Sequence, residues 1–432
     1  MAPATSASDG SPFALFRDPE FAALASVRFV SGMSYATIVI ALALYVELFD
    51  VSGVVAGLFG AAYAAVRLVL VLPVGRKIDL GNSRHYLLAG LAVTVVTLVG
   101  FAFADSVAAV VVLRGLQGVG ALLLWVTGLS VIGEVAPEAA RGRWIGTYNQ
   151  VRSVASLLGD LVGGGLLFLY GFEATYAVLT AVALASTAAV VAFVRDDPGT
   201  RADPDDATGA ETFLRLLRRR AVVALVAFRF AFSFGKMAVV LFLPIYAHTA
   251  FGMPSILIGG ILAGGKLTKG VAQGYVGRAT DRVGGRQWFV FAGALGYALG
   301  TALVPLAGSA ATLFDPVTLV GVGRRVRIGP AFFWLFAAYG VLGAADSLRV
   351  PTSMALFVAE GEHYDAVAGS LSLRSVVWQV GAVVGPVLVG GAVDRLSFRA
   401  AFWLAAGFVV VAGGCFLVLF ESEPPPASRS AS

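Results

Sequence analysis

Two carboxylates lie inside long apolar stretches of the sequence, where an ionisable group is well placed to do chemistry. Asp160 falls in the stretch Trp144–Tyr170, and Asp346 falls in the stretch Ala331–Val358. A charge inside so apolar a segment is costly unless it is paired or hydrated, so each carboxylate is a candidate proton carrier. Asp160 has no cation within one helical turn, which makes it the stronger candidate.

Cations in other apolar stretches offer partners for these carboxylates. Arg114 lies in the stretch Val107–Ile132, and we expect it beside Asp160. Arg349 follows Asp346 by three residues, a spacing that makes the two side chains neighbours on a helix. Asp346 and Arg349 either take part in proton transfer or only neutralise each other's charge. The predicted proton-coupling residues are therefore Asp160, Arg114, Asp346 and Arg349.

Lysines indicate the charge of a substrate. Lys236 and Lys266 lie deep in their apolar stretches, where basic residues outnumber acidic ones. A cavity with that excess favours an anionic or zwitterionic solute, and Tyr35 and Trp125 are candidate aromatic contacts for it. Four other cations lie nearer the ends of their stretches, and we expect their long side chains to extend to the membrane interface: Arg28, Arg67, Arg229 and Lys269.

The stretches that carry these residues have the length and composition of membrane-spanning helices. Of the 432 residues, 58% are hydrophobic and 13% are charged, and the mean hydropathy is +0.85. A soluble domain has about twice that charged fraction. Each stretch can cross a hydrocarbon core of about 30 Å as a helix, and the absence of polar–apolar alternation argues against barrel strands. Spans are predicted near Phe21–Leu48, Val54–Val74, Tyr86–Ala104, Val107–Ile132, Trp144–Tyr170, Ala174–Val194, Ala221–Ala247, Ile256–Val276, Trp288–Leu306, Ala331–Val358, Ser370–Val393 and Ala400–Phe420.

The chain also repeats itself. Arg28 in the first span matches Arg229 in the seventh (229 − 28 = 201). After a one-residue insertion, Arg67 matches Lys269 (269 − 67 = 202). Two similar bundles can rock about a shared central site and open it to each side in turn. We therefore predict an all-α membrane protein with twelve transmembrane helices in two pseudo-symmetric six-helix bundles.

The predicted organisation has five parts. A cytoplasmic N-terminal tail (1–20) without a cleavable signal precedes the first bundle (21–194), and a cytoplasmic linker (195–220) leads to the second bundle (221–420) and a disordered C-terminal tail (421–432). Lysine and arginine collect on one side of this map, which places both termini in the cytoplasm of a multi-pass cell-membrane protein. The connection 307–330 is an exception, because Arg324, Arg325 and Arg327 fall on the outer side.

The segment after span 8 resembles a family signature. It reads Gly277, three residues, Asp281 and Arg282, one residue, Gly284, and then Arg286 one position beyond the first expected basic residue. This pattern resembles the signature loop of the major facilitator superfamily, which implies a short loop that acts as a conformational latch. An ordinary cytoplasmic hairpin with basic residues is the alternative.

Two further segments resemble motifs of the same superfamily. The corresponding segment of the first half keeps Gly75 and Asp79, but Leu80 replaces the expected basic residue, which implies a weaker latch there. Arg114 and Gln117-Gly118 resemble the span-4 motif, whose arginine is linked to proton movement in proton-coupled members. A structural arginine bonded to carbonyl groups of a neighbouring helix is the alternative.

Small residues in spans 5 and 11 resemble the glycine–proline motif of the superfamily's exporters. Asp160 stands where the proline is expected in span 5, and general small-residue packing is the alternative interpretation. The predicted helix-packing residues are Gly159, Gly163, Gly164, Gly385 and Pro386.

The resemblance covers about Phe21 to Phe420 and implies a secondary active transporter that moves a small solute by alternating access, with proton-coupled efflux as the first interpretation. Two alternatives stay open: uptake of an organic anion by proton symport or uniport, with Lys236 and Lys266 binding its charge, and a transporter-like receptor without flux. The sequence shows no nucleotide-cradling loop and no catalytic constellation, so we expect no enzyme, cofactor, metal site or nucleic-acid partner. The expected partners of a monomer are a small-molecule substrate, protons and the lipid bilayer.

Overall fold

The protein is represented by a computed structural model that describes residues 12–196, 214–321, 324–363 and 366–420. The described residues form long helices: α1 Pro19–Leu48, α2 Gly53–Leu80, α3 Ser83–Ala102, α4 Val107–Val135, α5 Arg141–Leu158, α6 Gly164–Phe193, α7 Arg220–Phe251, α8 Ser255–Val283, α9 Arg286–Leu303, α10 Pro330–His363, α11 Val367–Arg395 and α12 Phe398–Leu419. A π-helical turn, Gly159–Gly163, joins α5 to α6. Short helical turns cover Pro12–Arg17, Glu138–Ala140, Val304–Leu306 and Ala307–Ala310.

The helices give the predicted twelve crossings. In the described part of the chain, 10 helical stretches are long and apolar enough to span a membrane. One of them, Glu138–Phe193, has 56 residues and is broken at Gly171, where φ is 75° and the chain reverses. The broken stretch therefore counts as two crossings. The twelfth is α8, whose 29 residues are long enough to cross but include several charged side chains.

Polar side chains and glycines set the helix ends. Asp18 accepts hydrogen bonds from the amides of Glu20 (2.9 Å) and Phe21 (3.1 Å) at the start of α1, and this satisfies two donors that have no partner within the helix. Ser52 caps α2 in the same way at Val55. Gly252 ends α7 in the left-handed region at φ 60°, a conformation that a glycine adopts without steric cost.

The two halves pack alike. In the first half α1 contacts α5 and α6, α2 contacts α4, and α3 contacts α4 and α6. In the second half the same contacts recur six helices later: α7 with α11 and α12, α8 with α10, and α9 with α10 and α12. This correspondence confirms two pseudo-symmetric six-helix bundles. They meet along α2 against α11, α1 against α7, and the π turn and α6 against α8.

A β-hairpin interrupts the otherwise helical fold. Strand β1 (Val317–Gly321) pairs antiparallel with β2 (Arg324–Ile328), in a register that places Val317 opposite Ile328. The hairpin lies within the long basic connection, for which the sequence analysis predicted no element. We call the end of the molecule that carries it the hairpin end, and the end where α1 begins and α12 stops the terminal end.

Several predicted boundaries need correction. The segments from Gly277 to Val283 and from Gly75 to Leu80 are the last turns of α8 and α2, so the predicted loops shrink to the two glycines Gly284–Gly285 and to Gly81–Asn82. Helices extend past the apolar stretch because water, unlike lipid, tolerates their charged side chains. Residues 1–11, 197–213 and 421–432, which hold most of the predicted tails and linker, lie outside the described residues.

Candidate functional site

A cavity of about 320 Å³ lies between the two bundles, a size in the range of small-molecule sites. Aromatic and aliphatic side chains form much of its wall, including Tyr35, Tyr297, Tyr339 and Trp378. Helices of both bundles also contribute charged side chains, so the wall is amphipathic. Its charged lining residues are Arg67, Arg114, Arg152, Asp160, Lys236, Lys266, Lys269 and Asp346.

An ion pair joins the bundles inside this cavity. Lys266 of α8 places its Nζ atom 2.5 Å from Oδ2 of Asp160, whose side chain is 1% exposed. Lys266 also donates hydrogen bonds to the carbonyl (3.2 Å) and the hydroxyl (2.7 Å) of Ser156. Oδ1 of Asp160 has no hydrogen-bond partner among the described residues. The prediction that Arg114 is the partner of Asp160 is therefore wrong, because the π turn that carries Asp160 contacts α8 of the other bundle.

The π turn places Asp160 at that contact. Thr37 of α1 donates to the carbonyl of Gly159 (3.0 Å), and a side chain at Gly159 would collide with the α1 backbone at Met33. A side chain at Gly259 of α8 would in turn collide with the carbonyl of Asp160. Glycines on both sides of the turn thus let α1, α5 and α8 converge. Such an extra-residue turn inside a helix often marks a functional position.

Arg114 is held by its own bundle. Its Nε atom donates to the carbonyl of Phe59 at 2.7 Å, and an Nη atom donates to the amide oxygen of Gln117. The guanidinium also lies 4.8 Å from the ring centre of Tyr63 and 5.9 Å from that of Tyr35. These contacts match the structural interpretation of this arginine and link α4 to α2, while one face of the side chain still reaches the cavity.

Asp346 is shared by three cations. Arg349 donates to Oδ1 at 2.8 Å, which is the contact that the three-residue spacing predicts. Lys269 approaches Oδ2 at 3.1 Å, and Lys236 contacts the same oxygen. The guanidinium of Arg349 also lies 3.4 Å from the ring centre of Phe232. A single carboxylate therefore meets cations from α7, α8 and α10.

The four cations expected at the membrane interface lie elsewhere, so that expectation is wrong. Arg67 and Lys269 line the cavity. Arg28 is 4% exposed and Arg229 is 8% exposed. They pack on aromatic rings, with Arg28 above Tyr148 at 5.2 Å and Arg229 above Trp378 at 4.1 Å. Ring faces inside the bundles stabilise these cations without an extension to the membrane interface.

The two predicted aromatic contacts differ in position. Tyr35 lines the cavity. Trp125 lies behind Arg67, with its ring centre 5.6 Å from that guanidinium, and does not itself belong to the cavity wall. Trp125 therefore lies behind the wall, and its contact with a substrate stays a prediction.

The bundles touch closely at the hairpin end. Asp394 of α11 accepts hydrogen bonds from the amides of Gly53 (2.5 Å) and Val54 (2.9 Å) at the start of α2. Glu47 of α1 contacts the imidazole of His248 of α7 through a carboxylate oxygen. Sequence reasoning missed these residues, since span-end charges carry no periodic signal and only the meeting of two bundles pairs them.

Two more contacts cross between the bundles at this end. Ser255 of α8 donates to the carbonyl of Gly164 at 2.9 Å. Arg324 of the hairpin donates to the carbonyl of Leu169 at 3.1 Å and lies over the ring of Phe168. Together with Asp394 and Glu47, they close the hairpin end in this structure.

The predicted helix-packing residues lie at helix crossings. Added side chains at Gly159 and Gly163 would collide with α1, one at Gly164 with Ser255 of α8, and one at Gly385 with Phe234 of α7. Pro386 meets α2 so closely that a side chain at Gly57 would collide with its carbonyl. These positions fit close packing between bundles as well as within them.

The predicted latch residues lie at the terminal end. A side chain at Gly75 or Gly277 would meet open space, and Gly284 has φ 69°. Arg282 and Arg286 are exposed. The side chains of Asp79 and Asp281 lie outside the described part of the structure, so the latch stays a prediction.

Two six-helix bundles around a charged cavity define the class of secondary transporters that work by alternating access. Comparison with known proteins agrees: the Major Facilitator Superfamily pattern matches residues 24–324 and 261–432. The chain belongs to the Major Facilitator Superfamily. It is a multi-pass membrane protein of a transporter family.

Curated relatives are distant. The MFS-type transporter ppzB of Metarhizium rileyi is 35% identical over 138 residues, which cover 32% of this chain and 28% of that protein. Multidrug resistance protein MdtG of Proteus mirabilis is 25% identical over 340 residues, covering 78% of this chain and 76% of that protein. The tetracenomycin C resistance and export protein of Streptomyces glaucescens is 28% identical over 159 residues, 37% of this chain and 29% of that protein. The chain thus matches less than a third of the length of the first of these relatives.

Solved structures share the fold. A bacterial homologue of the human lysosomal transporter Spinster, in an inward-facing and occupied conformation, superimposes with a TM-score of 0.73 over 94% of this chain and 97% of that chain at 15% identity. A peptide transporter in complex with sulfate gives a TM-score of 0.73 over 95% and 98% at 14% identity. At these identities the likeness establishes the fold alone.

Proposed function

We propose that this chain exports a small organic solute in exchange for protons, with the Asp160–Lys266 pair as the coupling element. The observation that carries the proposal is that this ion pair joins the two bundles within the cavity, at 2.5 Å. Alternating access requires the bundles to rearrange around the site, so a contact between them at the site must break and re-form in each cycle.

Two agents can break this pair. A proton on Asp160 removes the charge that holds Lys266, and the unpartnered Oδ1 is available to accept it. A bound solute that contacts Lys266 can also replace Asp160. Each agent alone then permits the bundles to move, while the empty, deprotonated carrier stays closed at the hairpin end. Because the carrier moves only with a solute or a proton bound, the transport cycle exchanges solute in one direction for protons in the other.

Export as the direction is supported by relatives and by packing. MdtG is named for multidrug resistance, and the Streptomyces protein for resistance and export. Close glycine contacts in spans 5 and 11 agree with the exporter motif that the sequence resembles. In this proposal the protein lies in the cell membrane, with the terminal end in the cytoplasm and the hairpin end outside.

Cotransport is the second candidate, and the charge of the cavity favours it. Protonation of Asp160 frees Lys266 for an anionic group, so a proton and an anion would bind more tightly together than apart. If reorientation requires both ligands, the same residues produce uptake of an organic anion with protons. The two candidates differ in the sign of the coupling.

The test uses purified protein in proteoliposomes loaded with naphthalene-1-sulfonate or with trimethyl(1-naphthylmethyl)ammonium, two probes with permanent opposite charge. Exchange predicts that acid outside accelerates probe efflux, whereas cotransport predicts that it slows efflux. Asp160→Asn should abolish the effect of external acid in either case. Asp315→Asn, which removes an exposed carboxylate from the hairpin connection, is the matched control and should respond like the wild type. An unchanged acid response in Asp160→Asn contradicts the proposed coupling.

A further inference from the structure

We propose that the cargo is an organic anion with an apolar body, and that Arg67 and Lys269 hold its negative group between the two bundles. This inference rests on the proposed function only in taking the central cavity as the transport site. It is independent of the direction of transport and of the sign of proton coupling.

The cavity carries an excess of positive charge. Among its lining residues six are cationic and two are carboxylates, an excess of four. One pair, Asp160 with Lys266, cancels. Asp346 offsets only one of the three cations that surround it. The described wall therefore carries more cations than its own carboxylates neutralise, so a bound anionic group is electrostatically favoured there over a cationic one.

Arg67 is oriented toward that place. Its guanidinium lies 5.3 Å from the ring centre of Tyr63 and 5.6 Å from that of Trp125, and it donates to the Tyr63 hydroxyl at 3.3 Å. Its Nε atom has no hydrogen-bond partner among the described residues. Aromatic neighbours thus fix the plane of the guanidinium and leave donors free, an arrangement suited to a carboxylate, sulfonate or phosphate group.

Lys269 supplies the matching cation from the other bundle. Its ammonium forms an ion pair with Asp346 at 3.1 Å. The side chain lines the cavity and is 31% exposed. Asp346 keeps Lys236 and Arg349 when Lys269 turns to a ligand. Arg67 and Lys269 are also repeat-related, on α2 and α8 (269 − 67 = 202), so pseudo-symmetry presents one cation from each half.

The rest of the wall specifies the body of the cargo. Tyr297, Tyr339, Leu262 and Leu342 line the same cavity and provide apolar and aromatic surface. A small inorganic anion would leave that surface in contact with water. An aromatic or branched organic acid uses both kinds of wall, with its charge toward the cations and its body against the rings.

Charge preference is measurable with three probes that share one body: naphthalene-1-sulfonate, trimethyl(1-naphthylmethyl)ammonium and neutral 1-naphthalenemethanol. Equilibrium dialysis with purified protein at fixed ionic strength should show the sulfonate bound at least about tenfold more tightly than either other probe. A sulfonate that binds no better than the cation or the alcohol overturns the inference.

Variants then locate the site. Arg67→Gln and Lys269→Gln should each weaken sulfonate binding about tenfold and leave the alcohol unchanged, which also shows that the cavity remains folded. Lys269→Arg should keep the preference for the anion. Arg325→Gln removes a cation from the exposed hairpin, far from the cavity, and should leave all three affinities unchanged. Unchanged sulfonate binding in both glutamine variants removes Arg67 and Lys269 from the site.

The assay separates this inference from the proposed function. Binding is measured without a proton gradient, so it does not depend on coupling. Anion-selective binding together with an unaltered acid response in Asp160→Asn would overturn the coupling role and leave the anion site standing. The opposite pair of results would overturn the anion site alone.

Discussion

Asp394 caps a helix of the opposite bundle at Gly53. Its carboxylate accepts hydrogen bonds from the backbone amides of Gly53 (2.5 Å) and Val54 (2.9 Å). The first amides of a helix have no partner within it and carry partial positive charge, so an aspartate there stabilises the contact. Here the cap comes from α11 while the helix is α2. The hydrogen bonds therefore exist only while the hairpin end is closed.

Removal of this cap should favour opening at the hairpin end. Asp394→Ala loses a helix cap worth about 0.5–2 kcal/mol, which shifts the balance between closed and open forms by that amount. Spin labels at Asp50 and Ala250, both exposed there, would report a larger population of long distances in a Cys415→Ser background. Arg395→Ala is the neighbouring control and should not change the distances. An unaltered distance distribution in Asp394→Ala would show that the cap does not hold the closed form.

The Asp160–Lys266 pair should be coupled in stability. Lys266→Gln leaves a buried carboxylate without its cation and should cost about 3 kcal/mol of unfolding free energy. The double variant Asp160→Asn/Lys266→Gln removes both charges and should recover most of that loss. The midpoint of thermal unfolding in detergent is compared among the wild type, Lys266→Gln and the double variant. Equal midpoints for Lys266→Gln and the wild type would contradict the pairing.

Glycine contacts between the bundles should be sensitive to a single methyl group. Gly259→Ala places a side chain against the carbonyl of Asp160 and should separate α8 from the π turn, with a cost of about 1–3 kcal/mol for overpacking. Gly407→Ala meets open space on α12 and serves as the control. The midpoint of thermal unfolding and the rate of probe flux should both fall in Gly259→Ala and stay unchanged in Gly407→Ala. Normal flux and stability in Gly259→Ala would mean that the helices approach less closely.

The orientation of the chain in the membrane can be tested by labelling single cysteines at its two ends. With Cys415→Ser as background, a cysteine at Arg325 on the hairpin should react with a membrane-impermeant maleimide in intact cells, because the proposed outer face carries it. A cysteine at Lys77, an exposed residue in the last turn of α2, should react only after permeabilisation. The reverse pattern would invert the proposed topology and with it the direction assigned to export.

The sequence by itself determined the membrane helices, the twofold repeat and the family. Apolar length is a local property, and a helix in lipid satisfies its own backbone groups, so spans such as Val107–Ile132 follow from a single stretch of residues. The matched cations Arg67 and Lys269 revealed the repeat for the same reason, since they occur at corresponding places in two similar segments. The three-residue step from Asp346 to Arg349 also predicted a real contact.

Only the tertiary structure decided which charges meet. Arg114 and Lys266 are both distant from Asp160 in sequence. The choice between them depends on which helix the π turn faces, a consequence of the glycine contacts at Gly159 and Gly259. The same holds for Asp394, which caps a helix more than 300 residues away. Pairing across bundles has no local signal, because it arises when two surfaces are brought together and each buried charge must find a partner there.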